Sequence, residues 1–190
     1  MALASIFMSA MRLIKEFRKN ISKAISLTQS GKIHIFTEIE FLLFDKKRID
    51  GLIIIVRGNK IVDAVLIEVK NKNNELDANQ IKNYASISKN YGVNKLLTIS
   101  NQFVSFPTQS PINVKIPKSV SLYHLSWSYI LTIAHILLIE NNNKNLGRRG
   151  EELVLEFEKQ RVTKLKLDVS KVQWISEVKG DEEGYDILSL

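Results

Sequence analysis

The chain has 190 residues, 45% of them hydrophobic and 25% charged, which is enough apolar material for one ordinary core and excludes disordered and fibrous classes. It contains no cysteine, which excludes disulfides, thiolate zinc sites and cysteine nucleophiles and fits a reducing, cytoplasmic setting. Its net charge of +7 favours a polyanionic partner such as nucleic acid, although solvated lysines alone would give the same sum.

Residues 4–29 read as one amphipathic helix. Ile6, Phe7, Ile14, Phe17, Ile21, Ala24 and Ile25 recur at helical spacing, Arg12, Lys15, Arg18, Lys19 and Lys23 lie off that stripe, and Gly31 suits the end. The segment 1–11 is apolar but has no basic region ahead of it, so a signal peptide is not expected. Residues 33–44 read as a strand, with Ile33, Ile35, Thr37, Ile39 and Phe41 on one side and Glu38 and Glu40 on the other.

Residues 48–70 read as two further strands reversing at Arg57-Gly58-Asn59-Lys60, because β-branched residues fill both arms. In the second arm Glu68 and Lys70 share a face, roughly 6.6 Å apart along the strand. Two such charges ending an apolar strand are costly to bury without a partner or a task. Asp50 opens the first arm. A two-residue turn would place it opposite Ile67, on the wrong face, whereas a three-residue loop or a bulge would place it opposite Glu68. The longer loop or the bulge is the expectation here.

A helix follows from about Asn74 to Tyr91, with Leu76, Gln80, Tyr84 and Ile87 on one stripe. Gln80 thus faces inward, where a buried amide needs polar partners. Residues 95–100 form a fourth strand, reached by a helical crossover and therefore expected parallel to a neighbour. All three prolines fall in a loop over 101–118. Residues 119–124 suggest a short edge strand, and Ser126 caps an apolar helix over 127–140 that should be covered by protein. That helix is too short to cross a membrane. The Asn-rich tract 141–146 reads as a linker between a domain at 1–140 and a module at 147–190, which opens with a helix carrying Leu153 and Phe157. Beyond it lie a strand candidate over 172–178, a turn at 180–184 and a last apolar run over 185–190.

The fold class expected from this order is α/β: helix, three strands, helix, strand, forming a mixed sheet flanked by helices. His34, His124 and His135 show no metal-ligand spacing. Any bound metal would take oxygen ligands, as Mg2+ or Mn2+ does.

At Asp50, the hairpin, Glu68-Val69-Lys70 and Gln80, the sequence resembles the PD-(D/E)XK nuclease superfamily. The likeness extends through Thr37-Glu38, Leu97-Thr-Ile-Ser-Asn101 and His124-Leu-Ser-Trp127, over about residues 33–130. Glu-x-Lys by itself carries no information; it recurs at Glu177-Val178-Lys179 without a preceding hairpin. The resemblance implies a restriction-endonuclease-like core and a metal-dependent endonuclease acting on nucleic acid, DNA before RNA. It implies Asp50 and Glu68 as ligands to Mg2+ or Mn2+, Glu38 completing the metal shell, and Lys70 and Gln80 as further catalytic groups. The alternative is a catalytically inactive nucleic-acid-binding or protein-interaction domain of the same fold. Whether the chain pairs with itself as a homodimer is left open. The tail, through Gly147-Arg-Arg-Gly-Glu-Glu152, Trp174-Ile-Ser176 and Gly184-Tyr-Asp186, resembles the opening of the nuclease-like C-terminal domain of NO VEIN-type proteins. It stops before a strand with Glu-x-Lys, so no catalysis is expected from it.

Overall fold

In a computed structural model, described over residues 2–41, 47–71, 75–174 and 187–188, the chain divides into a unit of residues 1–135 and a second of residues 136–190. The first unit is α/β. Helices α1 (Ala2–Leu13) and α2 (Lys15–Ala24) precede strands β1 (Lys32–Phe41), β2 (Lys47–Arg57) and β3 (Lys60–Val69). Helix α3 (Ala78–Asn90), strands β4 (Lys95–Ser100) and β5 (Ser121–Ser126) and the start of α4 (Trp127–Lys164) follow. The five strands form one sheet in chain order, antiparallel from β1 to β3 and parallel from β3 to β5. The parallel pairs need a crossover, supplied by α3 and by the loop over 101–118.

The hairpin settles the register. Arg57 pairs with Lys60, so the turn holds only Gly58 and Asn59, with Gly58 at φ 58°. One arm then gains a residue: Val56 faces Ile61 but Ile55 faces Asp63, leaving Val62 unpaired as a bulge. Beyond it Gly51 faces Ile67, which puts Asp50 level with Glu68. Of the two solutions expected from the sequence, the bulge is the one used.

β3 is buried from Asp63 to Val69, as a central strand covered on both faces should be. On one face Leu66 and Leu96 pack with Ile81, Tyr84, Ala85 and Ile87 of α3. On the other side α1 approaches closely enough that a Cβ at Gly51 would lie 2.0 Å from the Met8 methyl. The single helix expected over 4–29 is two. Ile14 is extended (φ −105°, ψ 102°), and this break lets Phe7, Met8 and Met11 of α1 and Phe17 and Ile21 of α2 all be buried, while Ile6 and Ile14 are exposed. Two cations of that region serve the joint: Arg18 donates to the carbonyls of Met11 and Arg12, and Arg12 donates to that of Ile35.

α4 also differs from expectation. The tract 141–145 is helical, since flanking turns carry its modest propensity penalty. Its apolar residues Leu131, Ile136 and Leu138 are exposed rather than covered. In the second unit Gln173–Trp174 (β6) pairs antiparallel with Ile187–Leu188 (β7). Trp174 Nε1 donates to Glu151 at 2.7 Å, and Arg148 stacks 5.6 Å from the indole. Residues 42–44 of the first strand, Asn74 at the expected helix start, and Glu177, Lys179 and Asp186 lie outside the described residues.

At the bulge Asp63 is buried and accepts from Lys95 Nζ (2.6 Å), Thr28 N (2.8 Å) and Ala64 N (2.9 Å). Burial pushes its pKa up, but Lys95 and the Thr28 amide outweigh it and hold the carboxyl below 3.8. The stabilisation is therefore present above pH 3.8 and lost as pH falls through the lower folded value. Asp63→Asn, which leaves Lys95 without its counter-charge, should cost about 3 kcal/mol at pH 7. In thermal melts the gap between wild type and variant should close as the pH drops below 3.8.

Candidate functional site

The register places residues from all five strands at one level. Thr37–Gly51 and Ile39–Ile49 pairs flank Glu38 and Asp50, Gly51–Ile67 brings Asp50 level with Glu68, and Glu68, Thr98 and His124 are partners across β3, β4 and β5. This polar row crosses the sheet near the C-terminal ends of its parallel strands.

Asp50 sits where the β2–β3 ladder ends. Its Oδ2 accepts from the Val69 amide at 2.7 Å, taking the place of a strand carbonyl. Glu68, with 6% of its side chain exposed, accepts on Oε1 from Lys70 Nζ at 2.9 Å and from Gln80 Nε2 at 3.0 Å. Oδ1 of Asp50 and Oε2 of Glu68 are not used by these bonds. Gln80 is held in turn. Its backbone amide donates to the N-cap Asp77 at 2.6 Å, and its side chain also donates to Tyr84 Oη at 2.9 Å. Tyr84 donates to the Arg48 carbonyl at 2.9 Å, two residues before Asp50. Lys70 is fixed at its backbone by the Ile99 carbonyl (2.7 Å) and by Trp127, whose Nε1 donates to the Lys70 carbonyl at 3.1 Å.

The electrostatics are those of a site kept partly dry. Burial raises the Glu68 pKa, the Lys70 hydrogen bond opposes this, and the Asp50 charge raises it further. Tyr84 is pushed up to about 12 by burial and by the Glu68 charge, so it stays a neutral donor. His124 is fully buried between Thr98 Oγ1 and the Gln102 carbonyl, each 2.9 Å away. Burial lowers its pKa, so it is neutral, with the Nε2 proton directed at the carbonyl, which can only accept.

Asp50, Glu68, Lys70 and Gln80 thus meet at one place. Glu38 is level with Asp50 but held differently: its φ of 57° takes it out of the ladder, and its carboxylate pairs with the Arg48 guanidinium. Among the described residues no three of His, Asp and Glu gather as a metal cluster. Two carboxylates remain, oxygen donors of the kind that a hard cation takes while keeping several of its waters. Tyr84 and Trp127 are the contributors that sequence reasoning missed. Tyr84 stands one turn beyond Gln80 on the same stripe, the one local signal; Trp127 lies in the run that carries the resemblance, but nothing local points to its bond with Lys70 across 57 residues of sequence.

Compared with family models, curated proteins and solved structures, the chain matches nothing. No helix among the described residues is long and apolar enough to cross a membrane.

A raised carboxyl pKa means that Glu68 stabilises the fold when protonated. That contribution is present below pH 4.5 and lost as pH rises through the folded value. Glu68→Gln should therefore melt higher than wild type at pH 7, by roughly 2–4 °C for a gain of about 1 kcal/mol. The difference should vanish below pH 4.5. A variant less stable at pH 7 would show the ionised carboxylate to be net stabilising.

Proposed function

We propose that this chain is a metal-dependent phosphodiesterase of the PD-(D/E)XK type, with a restriction-endonuclease-like core, acting on nucleic acid and on DNA in the first place. The single observation behind this reading is the convergence of Asp50, Glu68, Lys70 and Gln80 at the end of one sheet, from three elements and with an engineered-looking register shift to achieve it. A buried carboxylate raised in pKa and paired with a lysine is the sort of unstable arrangement that function, rather than folding, retains.

Asp50 and Glu68 would hold a Mg2+ or Mn2+ ion, which when bound lowers the pKa of a coordinated water and offsets charge on the reacting phosphate. The protein groups do the remainder. The Val69 amide fixes the Asp50 carboxylate, and Gln80, locked between Asp77 and Tyr84, fixes that of Glu68. Lys70, with one proton given to Glu68, presents a point charge and its two remaining donors to the attacking water or to a phosphate oxygen. The Ile99 and Trp127 contacts at its backbone limit how far that charge can wander. The overall charge of +7 draws the polyanion in.

Plasmid nicking by the full chain tests this. Wild type should convert supercoiled to relaxed DNA with Mg2+ or Mn2+ and not with a chelator present. Lys70→Ala should slow the reaction about 10²–10³-fold, and Asp50→Ala at least as much. Salt-sensitive DNA binding without metal-dependent cleavage would favour a non-catalytic binding domain instead.

A further inference from the structure

Beside the polar row lies a cavity of about 310 Å³, between loop residues Phe103–Pro107 and the end of β5 with the first turns of α4. Its rim carries two aromatic rings facing solvent, Phe103 (77% exposed) and Tyr129 (39% exposed). Its wall carries the hydroxyls of Ser126 and Ser128, 2.8 Å apart. Ser126 Oγ also accepts from the Tyr129 amide at 3.1 Å. The two hydroxyls bring two protons and use one between them, so one donor remains available on the cavity wall.

Exposed aromatic faces above an apolar slot with a spare donor match the needs of a nucleobase: a π surface to stack on and a polar edge to satisfy. The volume is at the small end of ligand sites and suits a single base with its sugar. The position argues the same way. His124 on the cavity wall is two strands from Glu68 in one register row, roughly 10 Å at the usual strand spacing. That is the length of about three stacked nucleotides. Trp127, between Ser126 and Ser128, is bonded directly to Lys70.

We infer that this cavity takes an unpaired base of the same nucleic-acid strand whose phosphate lies at Asp50, Glu68 and Lys70. The inference rests on the phosphodiesterase reading for its strand, and it adds a substrate class: single-stranded or locally opened nucleic acid rather than closed duplex.

Fluorescence anisotropy of the full chain with a labelled oligothymidylate, in chelator so that nothing is cleaved, tests it. Phe103→Ala and Tyr129→Ala should each weaken binding about tenfold, and duplex of equal length should bind more weakly and be less affected. Phe103 is so exposed that its truncation removes no core. An oligonucleotide abasic throughout should bind wild type as weakly as the intact one binds Phe103→Ala. Unchanged affinity in both variants would overturn the assignment. So would full competition by thymidine monophosphate together with undiminished binding of the abasic strand, which would make the cavity a free-nucleotide site. If base-dependent binding is found while wild type fails to cleave with Mg2+ or Mn2+, the nuclease reading falls and the cavity stands; if cleavage is metal-dependent but indifferent to Phe103 and Tyr129, the reverse holds.

Discussion

The site depends on the one unpaired residue in the β2–β3 hairpin. Side chains alternate along a strand with a period of two, so a shift of one residue moves a whole set to the opposite face. Without Val62 as a bulge, the Gly58–Asn59 turn would set Asp50 against Ile67, among apolar neighbours. With it, Asp50 stands level with Glu68 and its carboxylate can close the ladder through the Val69 amide. The bulge is held in place by Asp63, whose buried carboxylate is tied to Lys95 of β4 and to Thr28 ahead of β1. A structural ion pair at one end of the hairpin thus fixes the geometry of the charged groups at the other.

Those two clusters have opposite energetic characters. Asp63 has enough donors to overcome its desolvation, so its ionised form supports the fold. Glu68 does not: even with Lys70 and Gln80 as donors, burial and the nearby Asp50 leave its ionised form disfavoured. A cation between Asp50 and Glu68 would reverse that balance by neutralising the repulsion. The polar shell of Gln80 and Tyr84 orients Glu68 without discharging it, because Tyr84 remains protonated far above neutral pH.

The elements were largely legible because periodicity and turn residues act locally. The Gln80 stripe, the parallel fourth strand and the Ser126 cap follow from spacing alone. The register followed only under an assumption, that Asp50 must meet Glu68; nothing about Val62 announces a bulge, since a β-branched residue suits any strand position. The break at Ile14 was hidden for the same kind of reason, because apolar spacing runs on through a residue whose backbone has turned extended. The continuity of α4 through its Asn-rich tract was missed because propensity is a weak prior that flanking turns override. Glu38 was legible as a strand carboxylate, but its left-handed backbone and its pairing with Arg48 depend on contacts that local sequence does not encode.

Calorimetric titration of Mn2+ into the full chain tests joint metal binding by Asp50 and Glu68 most directly, free of any assumption about substrate. One site should appear in wild type, tightening as the pH rises because the ion competes with the Glu68 proton, and Asp50→Asn and Glu68→Gln should each abolish it. Binding that survives both substitutions, or no binding to a folded wild-type protein at any pH, would contradict the account.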